Sequence, residues 1–150
     1  MAETNSVPAS AAGTVYKAQL LDYFYTRRAA SAINQGSRFL MLKAWWGTST
    51  LVTANPAGGY KIADIPTNFT NAQLLNKFAV SDLVCTLVGS TINITTVCPQ
   101  SQMADGKIYT FNTLALVDDQ NNVFAVLCAQ QDTVFKGKDY SMFVSIEQRA

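Results

Sequence analysis

The sequence predicts an α+β domain that is mainly β: an antiparallel sheet or sandwich with one or two short helices and an extended N-terminal arm. Three observations predict it. Leu83–Val88 and Thr91–Val97 are apolar runs separated by Gly89-Ser90, the Gly-first two-residue loop of a type II′ hairpin. From Lys107 to Gln131, two further apolar runs flank Asp118-Asp119-Gln120-Asn121-Asn122, side chains that bond nearby backbone and tolerate tight turns. Finally, Tyr140, Met142, Val144 and Ile146 alternate with Ser141, Phe143, Ser145 and Glu147, the period-two pattern of a strand with one face on a core.

Met1 to Gly13 is small and polar with Pro8, so it has little to bury and reads as an extended or mobile arm. Thr14 to Ala150 then reads as one domain. A continuous helix over the aromatic stretch would carry Tyr16, Leu20, Tyr23 and Phe24 on one side, with Arg27 in the middle of the same stripe. That conflict predicts a break. A helix is expected from about Arg27 to Asn34, capped by Thr26 and closed by Gly36, with the preceding aromatics forming a strand or a separate turn. Arg38–Trp46 is expected as a strand that is apolar on both sides, hence central or covered. Asn55-Pro56-Ala57-Gly58-Gly59 reads as a loop, Ile65-Pro66 as a bend, and Asn71–Lys77 as one or two helical turns capped by Thr70 or Asn71.

The chain has 150 residues, enough to bury a core without disulfide or metal staples. It is 49% hydrophobic and only 14% charged, against roughly 25% charged in ordinary soluble domains. Part of such a surface is expected to meet other protein. A net charge of +1 supplies no long-range field for nucleic acid or an anionic membrane, and no run reaches the roughly 20 apolar residues of a membrane span. Cys85, Cys98 and Cys128 form no CxxC pair and read as buried free thiols, with a pairing of two of them as the alternative if they meet in space.

Chemistry is hard to find. The chain has no histidine, which removes the commonest general base, the Ser-His and Cys-His pairs and the commonest metal ligand. Asp118-Asp119 falls at an expected hairpin tip, where water would keep both ionised. Arg27-Arg28 reads as an ordinary solvated first turn of a helix. Trp45 and Trp46 are adjacent, so on a strand they face opposite ways and cannot form one stacking platform for sugars. No catalytic, metal-binding or cofactor-binding residue is assigned, and the expected cofactor complement is none.

Tyr25-Thr26 before an Ala-containing helix, Gly36 after it, the strand end Ala44-Trp45-Trp46-Gly47, the run ITTVCPQSQMADGKIYTFNTLALVDDQNNVFAVLCAQQ from Ile94 and the final YSMFVSIE together carry a family resemblance. The chain resembles the N-terminal, baseplate-attachment domain of contractile-tailed bacteriophage tail fibres, of the tail-collar type. That resemblance implies a virion structural protein, assembled in the host cytoplasm. It implies a homo-oligomer, a trimer by the family's habit, that anchors to baseplate or other tail proteins. Obligate interfaces are apolar at their centres. Tyr16, Leu20, Tyr23, Phe24, Tyr25, Trp45 and Trp46 are the candidate interface residues on that reading. The rival is a carbohydrate-binding β-domain used in host-surface recognition.

Overall fold

The computed structural model describes residues 4–6 and 16–147. Eleven strands, one α-helix and two short 3-10 turns follow one another among them. The strands are β1 (Thr4–Ser6), β2 (Tyr16–Leu20), β3 (Met41–Thr48), β4 (Val52–Ala54), β5 (Tyr60–Ile62), β6 (Leu75–Asp82), β7 (Val84–Val88), β8 (Thr91–Val97), β9 (Ile108–Asp118), β10 (Val123–Phe135) and β11 (Ser141–Glu147); helix α1 is Asp22–Ala32. They form a five-stranded sheet, β2-β10-β9-β3-β6, a four-stranded sheet, β1-β11-β8-β7, and the small hairpin β4-β5. Every strand pairing is antiparallel. The expected mainly β architecture is borne out. Of the expected N-terminal arm, only Thr4–Ser6 is described, lying beside Ser145–Glu147 of β11; its remainder lies outside the described residues.

The five-stranded sheet is covered on both faces, and its sequence shows why. Along β9, Leu114 and Leu116 belong to one buried cluster while Ala115 and Val117 belong to another. On β10, Ala125, Leu127 and Ala129 join the first cluster, and Val126 and Cys128 the second. Alternate side chains of a strand leave on opposite faces, so a near-continuous apolar run needs two covers. The four-stranded sheet supplies one through Ile94, Val144 and Ile146; Val52, Ile62, Ile65 and Phe69 supply the other. Trp46 and Trp45 divide the same way, one to each cluster.

Three carboxamides imitate peptide groups to join these parts. Gln130 both donates to the Tyr60 carbonyl and accepts from its N–H, at 2.8 and 2.9 Å, fastening the β4-β5 hairpin to β10. Gln102 treats Val80 on β6 in the same way, at 2.8 and 2.9 Å. Asn71 donates to the Asn121 carbonyl at 2.7 Å and accepts from the Val123 N–H at 2.9 Å, bracing the β9-β10 turn. A primary amide carries donor and acceptor in nearly the geometry of a neighbouring strand, so each satisfies backbone that would otherwise need water or another chain.

The two hairpins fall where the turn residues put them. Val88 faces Thr91 across Gly89-Ser90, and Gly89 has φ +60°, as a type II′ turn requires. In the β9-β10 turn, Asp118 Oδ1 accepts from the backbone N–H of Gln120 and Asn122 at 3.0 and 3.1 Å, and Asn121 takes the left-handed conformation.

Several boundaries differ from expectation. Helix α1 begins at Asp22, ahead of Arg27, because Leu21 leaves the strand in extended geometry and the Asp22 N–H is bonded to the Thr67 carbonyl at 2.9 Å. Thr26 is therefore inside the helix and caps nothing. The helix ends in a Schellman arrangement: Asn34 is left-handed, its N–H reaches the Ser31 carbonyl at 3.2 Å, and the Gln35 N–H reaches that of Ala30 at 2.8 Å. Asn34 thus takes the closing position expected of Gly36. The strand expected from Arg38 begins at Met41 and continues through Gly47 to Thr48. At Gly47 the backbone of β6 comes so close that an added Cβ would lie 2.5 Å from the Leu75 carbonyl oxygen, which is why the pairing shifts register there. The turns expected between Asn71 and Lys77 reduce to a 3-10 turn, Asn71–Gln73, before β6 begins.

Candidate functional site

The seven candidate interface residues do not share one surface. Leu20, Phe24 and Trp46 are covered within the chain itself. Phe24 meets Phe39 and Tyr25 edge to face, with ring centres 5.5 and 5.2 Å away, and lies 6.1 Å from Phe124. Trp46 packs on Phe111 at 5.0 Å and Tyr140 at 6.0 Å, and its indole N–H donates to Ser81 Oγ at 2.8 Å. Tyr16, Tyr23, Tyr25 and Trp45 are half-buried at the margins of the two clusters. Trp45 lies on the other face of its sheet from Trp46, under the Lys77 ammonium at 4.3 Å. The two tryptophans offer no joint stacking surface.

Two of the polar readings change. Asp118 is not a solvated turn residue: its side chain is 0% exposed and paired with Arg27, Nη1 to Oδ2, at 2.5 Å. The Tyr23 hydroxyl donates to the same oxygen at 2.7 Å. Arg27 is correspondingly not a solvated helix residue; only 12% of its side chain is exposed, and its Nη2 donates to the Ser37 and Arg38 carbonyls at 3.3 and 3.2 Å. Asp119 lies 3.6 Å from Nη2, an ion pair without a hydrogen bond. The group is a latch that holds α1 and the segment after it onto the β9-β10 turn. With its carboxylate covered and its donors occupied, it has no place for a reacting molecule.

The thiols divide as well. Cys98 and Cys128 are buried as expected, but Cys85 lies exposed on β7. Burial pushes the Cys98 thiol up to about 11 and raises Cys128, although Thr113 and Ser49 oppose the shift there; desolvation also raises Cys85. All three are held in the protonated, weakly nucleophilic form near neutral pH. Among the described residues, no group of three or more His, Cys, Asp or Glu side chains could hold a metal ion.

The exposed feature that sequence reasoning missed is the four-stranded sheet. Its outward positions include Phe143 on β11, Val97 on β8 and Val84 and Val88 on β7, and these are 38, 58, 63 and 65% exposed. Phe143 faces Thr95, which in turn faces Val84, so the apolar positions run across neighbouring strands. Between this sheet and the start of β3 lies an open, mostly apolar groove of about 350 Å³, lined by Phe24, Phe39, Leu40, Met41, Cys85 and Ile92 with Arg28 at its side. The signal is present as the uncharged run Val84-Cys85-Thr86-Leu87-Val88, which the sequence shows only as one arm of a hairpin. What hid it was position: only the sheet order makes β7 an edge.

A family model described as bacteriophage P1 tail fiber protein R matches residues 1–150. Tail fiber protein R of Escherichia phage P1 is 46% identical over 132 residues, covering 88% of this chain and 92% of that protein. No solved structure matches the chain. The expected phage tail fibre resemblance is borne out on this independent ground. The chain belongs to the bacteriophage P1 tail fiber protein R family.

Proposed function

We propose that the chain is a structural component of a phage virion, a tail fibre or fibre-adaptor module that anchors to the tail baseplate through protein–protein interfaces and acts as a homo-oligomer. The carrying observation is the family relationship over nearly the whole length of both proteins. The physical support is a charge-poor surface: exposed Val84, Val97 and Phe143 on one sheet face, with a low overall proportion of ionised residues. A face of this kind loses little by desolvation when another protein covers it.

Sedimentation of the purified chain with purified tail baseplates tests the reading. The chain is expected to travel with the baseplates, and the paired change Val97→Lys with Phe143→Lys is expected to reduce the bound fraction by tenfold or more while circular dichroism stays the same. A well-folded chain that stays in the supernatant, whatever the concentration, contradicts it.

A further inference from the structure

The ends of the two sheets are not treated alike. An edge strand exposes unpaired N–H and C=O groups, and stable proteins blunt such edges by shortening, charging, breaking or covering them. In the five-stranded sheet, β2 carries Lys17, held by Asp64 at 2.7 Å, and β6 is bonded at Val80 by the Gln102 carboxamide. In the four-stranded sheet, β1 is only three residues long. The remaining edge, β7, has none of these protections. Val84-Cys85-Thr86-Leu87-Val88 contains no charge and no proline, keeps an unbroken register with β8, and is exposed throughout.

We propose that β7 is a homodimer interface, pairing antiparallel with β7 of a second copy about a two-fold axis through Thr86. The hairpin register assigns the hydrogen bonds. Residues flanking a two-residue loop form a hydrogen-bonded pair, so Val88, Thr86 and Val84 direct their backbone groups towards β8, and Leu87 and Cys85 direct theirs to the free edge. A two-fold through Thr86 places Cys85 opposite Leu87 of the partner subunit, and the symmetry repeats the exchange from Leu87 to Cys85 of the partner subunit. Every edge-facing group of the strand's interior is then bonded.

The side chains favour a second copy over an unrelated strand because the sequence is self-complementary in this register. Val84 meets Val88 of the partner subunit, and Thr86 meets Thr86 of the partner subunit; no like charges oppose and no polar group meets an apolar one. A second feature is accounted for at the same time. Leu87 is 70% exposed in one chain, and Cys85 lines the apolar groove. Pairing sets each Leu87 beside Cys85 of the partner subunit, at the mouth of that subunit's groove. Such a contact is isologous and closes on itself, as a two-fold interface must, and it gives an even copy number where the family habit implied three. It stands on the edge geometry and does not depend on baseplate attachment.

Mass measurement by light scattering, together with a cross-link, tests the pairing on the full chain. Wild type is expected at twice the mass of Thr86→Lys and of Leu87→Lys, both of which should keep the wild-type circular dichroism. Thr86 pairs at a non-hydrogen-bonded position, where Cα atoms stand about 4.5 Å apart, within the roughly 4.4–6.8 Å that a disulfide spans. Mild oxidation of Thr86→Cys, in a Cys85→Ser background, should therefore convert most of the protein to a covalent dimer. A monomeric or trimeric wild type, a dimer unaffected by both lysines, or a dimer that does not cross-link at Thr86 overturns the proposal.

Discussion

Replacing Arg27 with methionine is expected to lower the free energy of unfolding by about 3–5 kcal/mol, the cost of removing one partner from a buried ion pair. The physical reason is that Asp118, whose side chain is 0% exposed, keeps its desolvation but loses the guanidinium 2.5 Å away. The Tyr23 hydroxyl and two backbone N–H groups still bond the carboxylate, yet they bring no opposite charge. For a chain of this length, such a loss lowers the melting temperature by about 10 °C or more. Adding Asp118→Asn should return part of it, since Asn can still accept the turn's N–H bonds through its carbonyl oxygen and leaves no buried charge. Urea unfolding of the single and double variants reads both quantities. A loss under about 1 kcal/mol for Arg27→Met, the size of a surface pair, would mean that the latch is solvated and carries little.

Trp46→Ala is expected to cost about 3–5 kcal/mol, as large-to-small substitutions of buried aromatics do. The indole is fully covered, fills the space between Phe111 and Tyr140, and bonds Ser81 Oγ. Its removal leaves a cavity between the sheets and also takes a donor from the chain that runs through Ser81 to Thr96. Trp45→Ala, one residue away, should cost about 1 kcal/mol or less, because a half-buried side chain gives up less covered apolar area. The comparison isolates burial from residue type. Equal losses at the two positions would mean that the two faces of β3 are covered alike and that Trp45 is no more available to a partner than Trp46.

What the sequence disclosed is what depends on neighbours in the chain. Gly89-Ser90 could be recognised as a hairpin turn because the positive φ at its first residue is a local requirement of the turn, and Met142, Val144 and Ile146 showed their buried face by spacing alone. Arg27 was misread because its partner Asp118 is 91 residues away: on the helix it appeared as a charge interrupting an apolar stripe, and only the folded chain supplies the carboxylate that makes it an interior residue. The same distance concealed Asp118, which alone resembles any turn aspartate. Aromatic surplus was a sound sign of packing but not of which packing. Phe24 and Trp46 complete the chain's own core, and the apolar residues left exposed include aliphatic ones on β7 and β8 together with Phe143. Edge position is a property of strand order, so no local pattern could have marked β7.

This chain is proposed as a tail component whose work is done by contacts with other proteins. Electron microscopy of intact phage carrying a gold label on the C-terminus of this chain tests it most directly. Gold at the baseplate end of the tail, at the roots of the fibres, is the predicted result. Particles that are complete and infectious but bear no label, from lysates rich in the labelled protein, would contradict it.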